Sequence, residues 1–328
     1  MKRHKPSVLV SYIVLNWRLV EKTLKAISGI KSQATGTIEV IIVDNESDDR
    51  SRSLLKKHAD TLIANHTNLG FAVGCNQGAE VAKGKYLAFI NNDAVLPANW
   101  QRVGIETIES KPHICAVAGG ERISDNEQYS LSFVSPHTAM VRQSKQNVNL
   151  PVRVPYAYGS NLLISKKAFE EARGFEESYF AYYEDVDLGA KLHACGLESW
   201  YVPAMTIAHE PGSSTQKGKN TFRNRLIQVN KYRFMSRHYD KWISHIFQAI
   251  LYDLAKFAIG SVIAWLRPQG KESRSSKLSV YRAQAYAAMW SLTHLKQLKK
   301  ARSASLQAKH YSSDFVTLLR RFEIEKSG

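Results

Sequence analysis

The sequence predicts an α/β fold with a mostly parallel central sheet, followed by a helical C-terminal region. Over about the first 210 residues, short apolar runs rich in β-branched residues alternate with helix-like segments. This alternation favours parallel strands covered by helices. Beyond Asn220, strand signals become few and long helical patterns replace them. Since 44% of the 328 residues are hydrophobic, the chain can bury a sizeable core. We expect two domains, residues 1–215 and residues 216–328.

The first predicted elements are a strand, a helix and a second strand. Ser7–Leu15 is a continuous apolar run, as expected of a strand that is buried on both faces. Leu19–Ile30 has apolar residues at helical spacing. Ile38–Val43 is a second buried strand, and it ends at Asp44. This order gives the start of a strand–helix–strand unit.

The remaining elements up to residue 210 continue the alternation. The first is a helix that Asp48 or Ser47 caps and that ends near His58. A short strand at Leu62–Ala64, a turn and helix at Gly70–Lys83 and a strand at Lys85–Ile90 follow. Later elements are a short strand at Leu162–Ile164, helices at Lys166–Ala172 and Asp185–Cys195, and extended segments at Trp200–Pro203 and Thr206–Ala208. Residues 121–155 are polar and contain three prolines, so we expect a long loop there.

The net charge of +16 is concentrated at one end of the chain. There are 45 Lys and Arg residues against 29 Asp and Glu residues. Residues 221–328 hold 20 of the basic and 6 of the acidic residues, which leaves a net charge of only +2 on residues 1–220. A strongly basic chain is typical of nucleic-acid binding, but the body of this protein is close to neutral.

The three cysteines, Cys75, Cys115 and Cys195, lie far apart and form no CxxC pair. This spacing excludes a disulfide framework and a thiolate zinc site, and it indicates a reducing compartment. The basic start of the chain is soon interrupted by polar residues, so we expect no secretory signal peptide.

Two acidic residues follow predicted strands, where parallel sheets place ligand-binding groups. Asp44 could accept hydrogen bonds from a nucleotide base or ribose, and the alternative is that it caps the next helix. Asp93 closes the run Asn91-Asn92-Asp93. A carboxylate beside two amide side chains suits a hard cation that bridges to phosphate oxygens, and the alternative is an ordinary turn.

A cluster of carboxylates at Glu184, Asp185 and Asp187 follows an aromatic run at a predicted helix start. Aromatic side chains can stack on sugar faces and can raise the pKa of a carboxylate toward the range of a general base. The alternative is helix capping, because acidic groups favour a helix N-terminus. His209 follows an extended segment, and it becomes a metal-ligand candidate only if it lies near Asp93.

Read together, these segments resemble the family 2 glycosyltransferases, especially the bacterial rhamnosyltransferase-like branch. The matching stretches span about residues 7–215 and occur in the family order. They are Tyr12-Ile13-Val14-Leu15-Asn16-Trp17, Val43-Asp44-Asn45-Glu46-Ser47, Asn68-Leu69-Gly70-Phe71, Asn76-Gln77-Gly78, Asn91-Asn92-Asp93, Gly174-Phe175, Glu184-Asp185-Val186-Asp187-Leu188 and His209.

The resemblance implies an A-type, Rossmann-like glycosyltransferase fold and sugar transfer from a nucleotide donor with inversion at the anomeric carbon. It implies that Asp93 and His209 hold Mg2+ or Mn2+ on the pyrophosphate. Asp185 resembles the catalytic base, and Glu184 would shape the acceptor site. The residues implied in donor binding are Asn16, Asp44, Asn45, Gly70, Phe71, Asn76, Asn91 and Asn92. Asn91 stands where the family's D-x-D motif has its first acid, so this sequence lacks that carboxylate.

The resemblance also implies partners and a pathway. The donor expected first is dTDP-L-rhamnose, with UDP-hexoses or UDP-N-acetylhexosamines as alternatives. The acceptor would be a glycan or a lipid-linked saccharide of bacterial cell-envelope polysaccharide synthesis. The alternative of another class is a nucleic-acid-binding protein that uses the basic C-terminal region. We expect no nucleic-acid partner, because that function gives Asp93, Asp185 and His209 no role. A third alternative is a catalytically silent sugar- or lipid-binding homologue, and the presence of both the predicted base and the metal carboxylate argues against it.

The C-terminal region contains a long apolar segment, Ile243–Leu266. Ile243, Phe247, Ile250, Leu254, Phe257 and Trp265 share one face of its predicted helix, and His245, Lys256 and Gly260 lie opposite. Asp253 and Lys256 argue against a membrane span. We expect residues 240–300 to lie on an anionic membrane, at the cytoplasmic inner face. The alternatives are a helical cap on the catalytic domain and a homodimer interface.

Overall fold

A computed structural model describes residues 7–124, 127–145, 148–209, 221–266 and 271–304. The chain divides into two compact units. The first comprises residues 1–133 and 143–211, and the second comprises residues 134–142 and 212–328. Each unit is considered separately below.

The first unit is built on an eight-stranded sheet. Its strands are β1 (Val10–Asn16), β2 (Ile38–Asn45), β3 (Thr61–Asn65), β4 (Tyr86–Asn91), β6 (Ile114–Ala118), β11 (Val152–Val154), β12 (Asn161–Ser165) and β13 (Glu198–Tyr201). The order across the sheet is β11-β13-β6-β12-β4-β1-β2-β3. β1 pairs in parallel with both β2 and β4, and β2 pairs in parallel with β3. The carboxyl ends of these four strands therefore meet at one edge.

β12 is the exception that matters for the site. It runs antiparallel to both β4 and β6, with Asn161 opposite Ile90. Because its direction is reversed, the start of β12 lies at the edge where β4 ends. The predicted α/β fold with a mostly parallel sheet is confirmed. The predicted strands lie within two residues of those observed, except that β1 begins three residues after the predicted start at Ser7.

A second, four-stranded sheet has the order β5-β14-β7-β8. Its strands are β5 (Ala94–Val95), β7 (Glu121–Ser124), β8 (Glu127–Tyr129) and β14 (Ile207–His209). A further two-stranded sheet consists of β9 (Ser132–Val134) and β10 (Val141–Gln143). The prediction of a long loop over residues 121–155 is therefore wrong. These strands are only three or four residues long, too short to give a hydrophobic period.

Six helices accompany these sheets in the described part of the first unit. They are α1 (Val20–Gln33), α2 (Asp49–Lys56), α3 (Phe71–Val81), α4 (Trp100–Glu109), α5 (Lys166–Glu171) and α6 (Glu184–Ala194). Asp48 caps α2, since its side chain accepts a hydrogen bond from the Ser51 amide at 2.8 Å. Short 3-10 turns occupy Glu177–Tyr179 and Pro203–Met205.

The core between the sheet and its helices includes a large buried aromatic side chain, Trp100. It is fully buried at the start of α4, and its ring lies 6.3 Å from that of Tyr12 on β1. The Tyr12 hydroxyl in turn donates a hydrogen bond to Gln101 Oε1 at 2.8 Å. These contacts join α4 to the middle of the sheet.

The described part of the second unit contains four helices. They are α7 (Thr221–His238), α8 (Trp242–Leu266), α9 (Lys271–Thr293) and α10 (Leu295–Ala304). Lys231 of α7 and Asp253 of α8 are fully buried and form an ion pair, and the Tyr232 hydroxyl donates to Asp253 at 2.7 Å. α8 and α9 approach closely at Gly260, where a Cβ atom would lie 2.4 Å from the Tyr281 ring.

The structure corrects the predicted apolar face of α8. Ile250 is buried and Phe257 is half-buried, whereas Leu251, Ile259 and Val262 are exposed. The side chain of Trp265 lies outside the described residues. The predicted face differs from the exposed face because apolar spacing alone does not tell which side of a helix contacts its neighbours.

The core packing leads to a stability prediction. We expect Trp100→Ala to lower the free energy of unfolding by about 3–5 kcal/mol, because it removes a large side chain and leaves a cavity. Trp17→Ala is the matched control, since Trp17 is half exposed, and it should change stability by less than about 0.5 kcal/mol. Urea unfolding followed by circular dichroism measures both. Equal losses for the two variants would contradict the assignment of Trp100 to the core.

Candidate functional site

The parallel pairing of β1 and β2 brings the first two site candidates together. Asn16 and Asp44 are register partners at the ends of these strands, and both are fully buried. Asp44 Oδ1 accepts hydrogen bonds from Asn16 Nδ2 at 2.6 Å and from the Ser47 hydroxyl at 2.5 Å. Arg52 of α2 forms an ion pair with Asp44 Oδ2 at 3.2 Å. Asp44 is thus held by three side chains of the protein.

A chain of hydrogen bonds continues from Asp44 across the sheet edge. Asn16 Oδ1 accepts from the Thr23 hydroxyl of α1 at 2.7 Å. That hydroxyl accepts from Asn92 Nδ2 at 3.1 Å. The chain joins the ends of β1, β2 and β4 to the first turn of α1. It leaves Asn92 Oδ1 available as an oxygen ligand.

The segment after β4 contains the metal candidates. Asp93 is buried, and the next residue, Ala94, begins β5. β14 pairs antiparallel with β5, so that the backbone of His209 lies opposite that of Ala94. The side chain of His209 lies outside the described residues. The pairing of β14 with β5 therefore places the backbone of His209 close to that of Asp93. This satisfies the condition under which His209 becomes a metal-ligand candidate.

The donor atoms near Asp93 suit a hard divalent cation. Asp93 offers a carboxylate, and the amide oxygens of Asn91 and Asn92 are of the kind that Mg2+ accepts. Among the side chains that the structure describes, no group of three His, Cys, Asp or Glu residues lies close enough to bind a metal. A metal would therefore need phosphate or water oxygens in addition, as Mg2+ commonly does.

A cavity of about 260 Å³ lies between α1 and the Asn92–Leu96 segment. Asn92 and Asp93 line one side, and Lys22 and Lys25 of α1 line the other. No sequence motif marks these two lysines. Only the packing of α1 against β5 brings them to the edge that carries Asp93.

The loop before α3 is tied to the segment before α6. Gly70 has φ +87, and a Cβ atom there would lie 2.5 Å from the carbonyl oxygen of Phe180. The Phe71 amide donates to that same oxygen at 2.6 Å. Asn45 Nδ2 donates to the Gly70 carbonyl at 3.1 Å. Glycine is required at position 70 both by its conformation and by this close approach.

Asn76 has a comparable connecting position. Its Nδ2 donates to the Phe175 carbonyl and its Oδ1 accepts from the Phe175 amide, both at 2.9 Å. The predicted donor-binding residues Asn45, Gly70, Phe71 and Asn76 therefore hold α3 against the segment before α6. Direct contact of these four residues with a donor stays a prediction.

The carboxylate pair Glu184 and Asp185 stands in the first turn of α6. The backbone leading into it is strained, since Phe180, Tyr182 and Tyr183 all have φ between +63 and +75. Such left-handed conformations at non-glycine residues cluster at functional sites. Asp185 Oδ2 accepts from the Gly159 amide at 3.2 Å, and its Oδ1 accepts from the Val186 amide at 2.8 Å.

Burial dominates the electrostatics of this pair. The pKa of Asp185 is raised to about 6, because burial and, to a smaller extent, the charge of Glu121 outweigh the lowering effect of the Gly159 and Val186 amide hydrogen bonds. Burial also raises the pKa of Glu184 well above its usual range, and the charge of Asp185 adds to that effect. Glu184 Oε2 is buried without a hydrogen-bond partner among the described residues. A carboxylate with a pKa near 6 is suited to act as a general base.

The third carboxylate of the cluster, Asp187, has a different position. It is fully buried, forms an ion pair with Lys191 at 3.2 Å and accepts from the Tyr179 hydroxyl at 3.2 Å. Lys191 also donates to the Gly174 carbonyl at 2.5 Å. Asp187 therefore anchors α6 to the preceding loop. Its role in the described structure is structural rather than that of a base.

Sequence reasoning missed Glu121 and Ser160. Glu121 begins β7, a strand within the region expected to be a loop, and it accepts a hydrogen bond from the Ser160 hydroxyl at 2.5 Å. The Ser160 carbonyl accepts from the Asn91 amide at 2.9 Å. Ser160 thus bridges the Asn91–Asp93 segment and the Asp185 side, because Gly159 next to it contacts Asp185. No local motif marked either residue.

Three basic residues that follow His209 in the sequence, Lys219, Arg223 and Arg225, could contact a diphosphate, and the alternative is a solvated basic helix face. Lys219 lies outside the described residues. Arg223 and Arg225 belong to α7 in the second unit, where the Arg225 guanidinium lies 4.7 Å from the centre of the Tyr286 ring.

Residues 14–173 match the family model described as Glycosyl transferase family 2. This segment includes Asn16, Asp44 and Asn91-Asn92-Asp93, and it ends just before Gly174. Residues 14–173 therefore form a family 2 glycosyltransferase domain, as the motifs predicted.

Two relatives share parts of the sequence. N-acetylglucosaminyl-diphospho-decaprenol L-rhamnosyltransferase of Mycobacterium tuberculosis is 40% identical over 83 residues, which cover 25% of this chain and 26% of that protein. Rhamnosyltransferase WbbL of Escherichia coli is 22% identical over 192 residues, which cover 52% of this chain and 72% of that protein. The chain thus matches about a quarter of the first relative's length.

Among the solved structures that match is a mannosyltransferase. Mannosyltransferase PcManGT from Pyrobaculum calidifontis, in complex with GDP-Man and Mn2+, matches with a TM-score of 0.51 over 99% of this chain and 84% of that chain. The sequences are 16% identical, so this likeness shows the fold. Together with the family match, it confirms the predicted A-type glycosyltransferase fold.

The raised pKa of Asp185 leads to a prediction for stability. Between its ordinary value of 3.8 and about 6, the folded protein holds a proton that the unfolded chain has lost. Stability therefore falls as the pH rises through this window. We expect Asp185→Asn to reduce that fall, because the amide cannot ionise. Urea unfolding at several pH values measures the slope.

The exposed Asp49 provides an isosteric control. Asp49→Asn should keep the wild-type dependence on pH. An unchanged slope in Asp185→Asn would contradict the raised pKa.

Proposed function

We propose that this chain is an inverting, metal-dependent glycosyltransferase that moves a sugar from a nucleotide donor to an acceptor hydroxyl. One observation carries the proposal. The Gly159-Ser160 segment links Asn91-Asn92-Asp93 to Asp185, so that a phosphate-binding candidate and a general-base candidate lie at one sheet edge. The family 2 match of residues 14–173 supports the same reaction class.

The donor half of the site uses the ends of β1, β2 and β4. In this proposal Asn16 and Asp44 face the nucleoside, and Arg52 holds the Asp44 side chain in position. Asn91 and Asn92 lie beside the diphosphate. Asn45, Gly70, Phe71 and Asn76 shape the donor site by holding the loops that border it.

Asp93 and His209 would hold Mg2+ or Mn2+ in this site. Such an ion supplies Lewis-acid stabilisation of the negative charge that develops on the departing nucleoside diphosphate. The match to a structure solved with GDP-Man and Mn2+ supports this assignment, as does the register that sets His209 opposite Ala94.

Asp185 acts as the base. With a pKa of about 6 it is ionised at neutral pH, and it takes the proton of the acceptor hydroxyl as that oxygen attacks the anomeric carbon. The Gly159 and Val186 amides orient the carboxylate through their hydrogen bonds. Burial raises the pKa of Glu184 well above its usual range. In this proposal Glu184 shapes the acceptor site beside the base.

The proposed donor is dTDP-L-rhamnose, and the proposed acceptor is a lipid-linked saccharide of envelope polysaccharide synthesis. The names of both relatives above support rhamnosyl transfer, and the Mycobacterium tuberculosis name also contains a lipid-linked acceptor. UDP-hexoses and UDP-N-acetylhexosamines are the alternative donors. The proposed location is the cytoplasmic face of the inner membrane, where such acceptors are accessible.

A panel of nucleotide sugars, with and without Mn2+, tests the proposal by thermal shift and by donor hydrolysis. Stabilisation by one donor and release of its nucleoside diphosphate are expected. The rival function, nucleic-acid binding through the basic C-terminal region, predicts salt-sensitive binding that needs neither Asp93 nor Asp185. Such binding without any response to nucleotide sugars would overturn the enzyme assignment.

We expect Asp185→Asn to lower kcat by about 10²–10⁴-fold, because it removes the proton acceptor. Donor binding should stay close to that of the wild type, as measured by calorimetry. In the wild type, kcat/KM should rise as the pH increases through about 6, where Asp185 loses its proton. Asp49→Asn serves as the isosteric control, and normal turnover by Asp185→Asn would contradict the role of base.

We expect Asp93→Asn to remove the Mn2+-dependent part of nucleoside diphosphate binding, since an amide oxygen lacks the charge that holds the cation. Calorimetric titration with and without Mn2+ measures this part directly and needs no acceptor. Asp49→Asn should retain it. If Asp93→Asn binds the nucleotide with an unchanged Mn2+ dependence, Asp93 is not a metal ligand.

A further inference from the structure

Helix α8 leaves large apolar side chains at the surface while it buries a charged residue. Its inward residues recur at helical spacing, and a charged one is among them. They are Ile246, Ala249, Ile250, Asp253 and Gly260. The exposed residues of α8 include six large apolar ones. They are Ile243, Phe247, Leu251, Leu254, Ile259 and Val262. Ile243 is 64% exposed and Phe247 is 58% exposed. We call these six residues the outward face.

The rotation of α8 is fixed by its buried aspartate. Asp253 pairs with Lys231 of α7 and accepts from the Tyr232 hydroxyl. Lys231 also donates to Gln228 at 3.2 Å. Turning the outward face inward would pull Asp253 away from both partners and leave Lys231 buried without its counter-charge, which is strongly unfavourable. The outward face is therefore held at the surface by the interior of the helical unit.

The charge beside the outward face selects the kind of partner. From residue 241 to residue 304 the sequence has eleven Lys and Arg residues and two acidic ones, Asp253 and Glu272. Asp253 is neutralised in the interior. Lys241, directly before α8, and Lys256 within α8 are both exposed. An apolar strip flanked by exposed lysines suits an anionic lipid surface, whereas a second copy would bring like charges together.

We propose that α8 lies in the plane of an anionic bilayer, with its outward face in the acyl boundary and its flanking lysines at the headgroups. By length and composition, Trp242–Ile263 could also cross a membrane. The in-plane position follows because the other side of α8 contacts α7 and α9, and α7 holds five Lys and Arg residues. The proposal rests on the helical unit alone and stands or falls independently of the transfer chemistry.

Flotation of the full chain with vesicles tests this proposal. The chain should float with vesicles that contain phosphatidylglycerol and bind at least tenfold less to pure phosphatidylcholine. Phe247→Asp and Leu254→Asp should each reduce binding to the anionic vesicles by at least tenfold. Both positions are exposed, so neither change should disturb folding, which circular dichroism verifies.

Leu54→Asp is the matched control, because Leu54 of α2 and Leu254 are both 40% exposed leucines on helices. It introduces the same charge and should leave vesicle binding unchanged. Equal flotation of Leu254→Asp and the wild type, or equal losses in Leu54→Asp and Leu254→Asp, would overturn the proposal. So would a lack of vesicle binding together with self-association that Leu254→Asp abolishes, since the outward face would then bind a second copy.

Discussion

The hydrogen-bond chain from Asp44 through Asn16 and Thr23 to Asn92 fixes the geometry on which the candidate site depends. Its members come from the ends of three parallel strands and the first turn of a helix, and all four are buried or half-buried. Leaving any one of these groups unpaired would cost about 1–3 kcal/mol. The strand ends are therefore held in position before a ligand binds. Because Asp93 follows Asn92 in the chain, the hydrogen bond of Asn92 also restricts the position of Asp93.

The backbone that leads into α6 is strained, and a contact with α3 holds it in place. Three residues just before the Glu184–Asp185 pair, Phe180, Tyr182 and Tyr183, have positive φ. Each such conformation costs about 1–3 kcal/mol. The backbone amide of Phe71 holds the Phe180 carbonyl in place. Two neighbouring buried carboxylates add a further cost, which appears as their raised pKa values. Stability is thus given up where a base of suitable pKa is required.

The helical unit combines a buried ion pair with an exposed apolar side on α8. The first unit places its apolar residues inside, as Trp100 and Tyr12 show. In the second unit, α7 and α8 bury Lys231, Asp253 and Tyr232 around one ion pair, while α8 leaves Phe247 and Ile259 at the surface. An aqueous surface alone does not favour that arrangement. A bilayer interface beside α8 would make both the buried polar cluster and the exposed apolar side favourable.

The sequence by itself determined the α/β class, most strands and helices of residues 7–124, and the candidates Asp44, Asp93 and Asp185, because apolar runs and strand-end residues are local signals. Only the tertiary structure distinguished the carboxylate in a structural ion pair from the carboxylate that is the candidate base. Asp187 is paired with Lys191, while Asp185 lies beside Gly159 and Glu121, and these contacts join residues far apart in the chain. The tertiary structure also decided which side of α8 faces outward. Periodicity fixes the angle between residues on a helix, but the partner of Asp253 fixes the rotation of that helix.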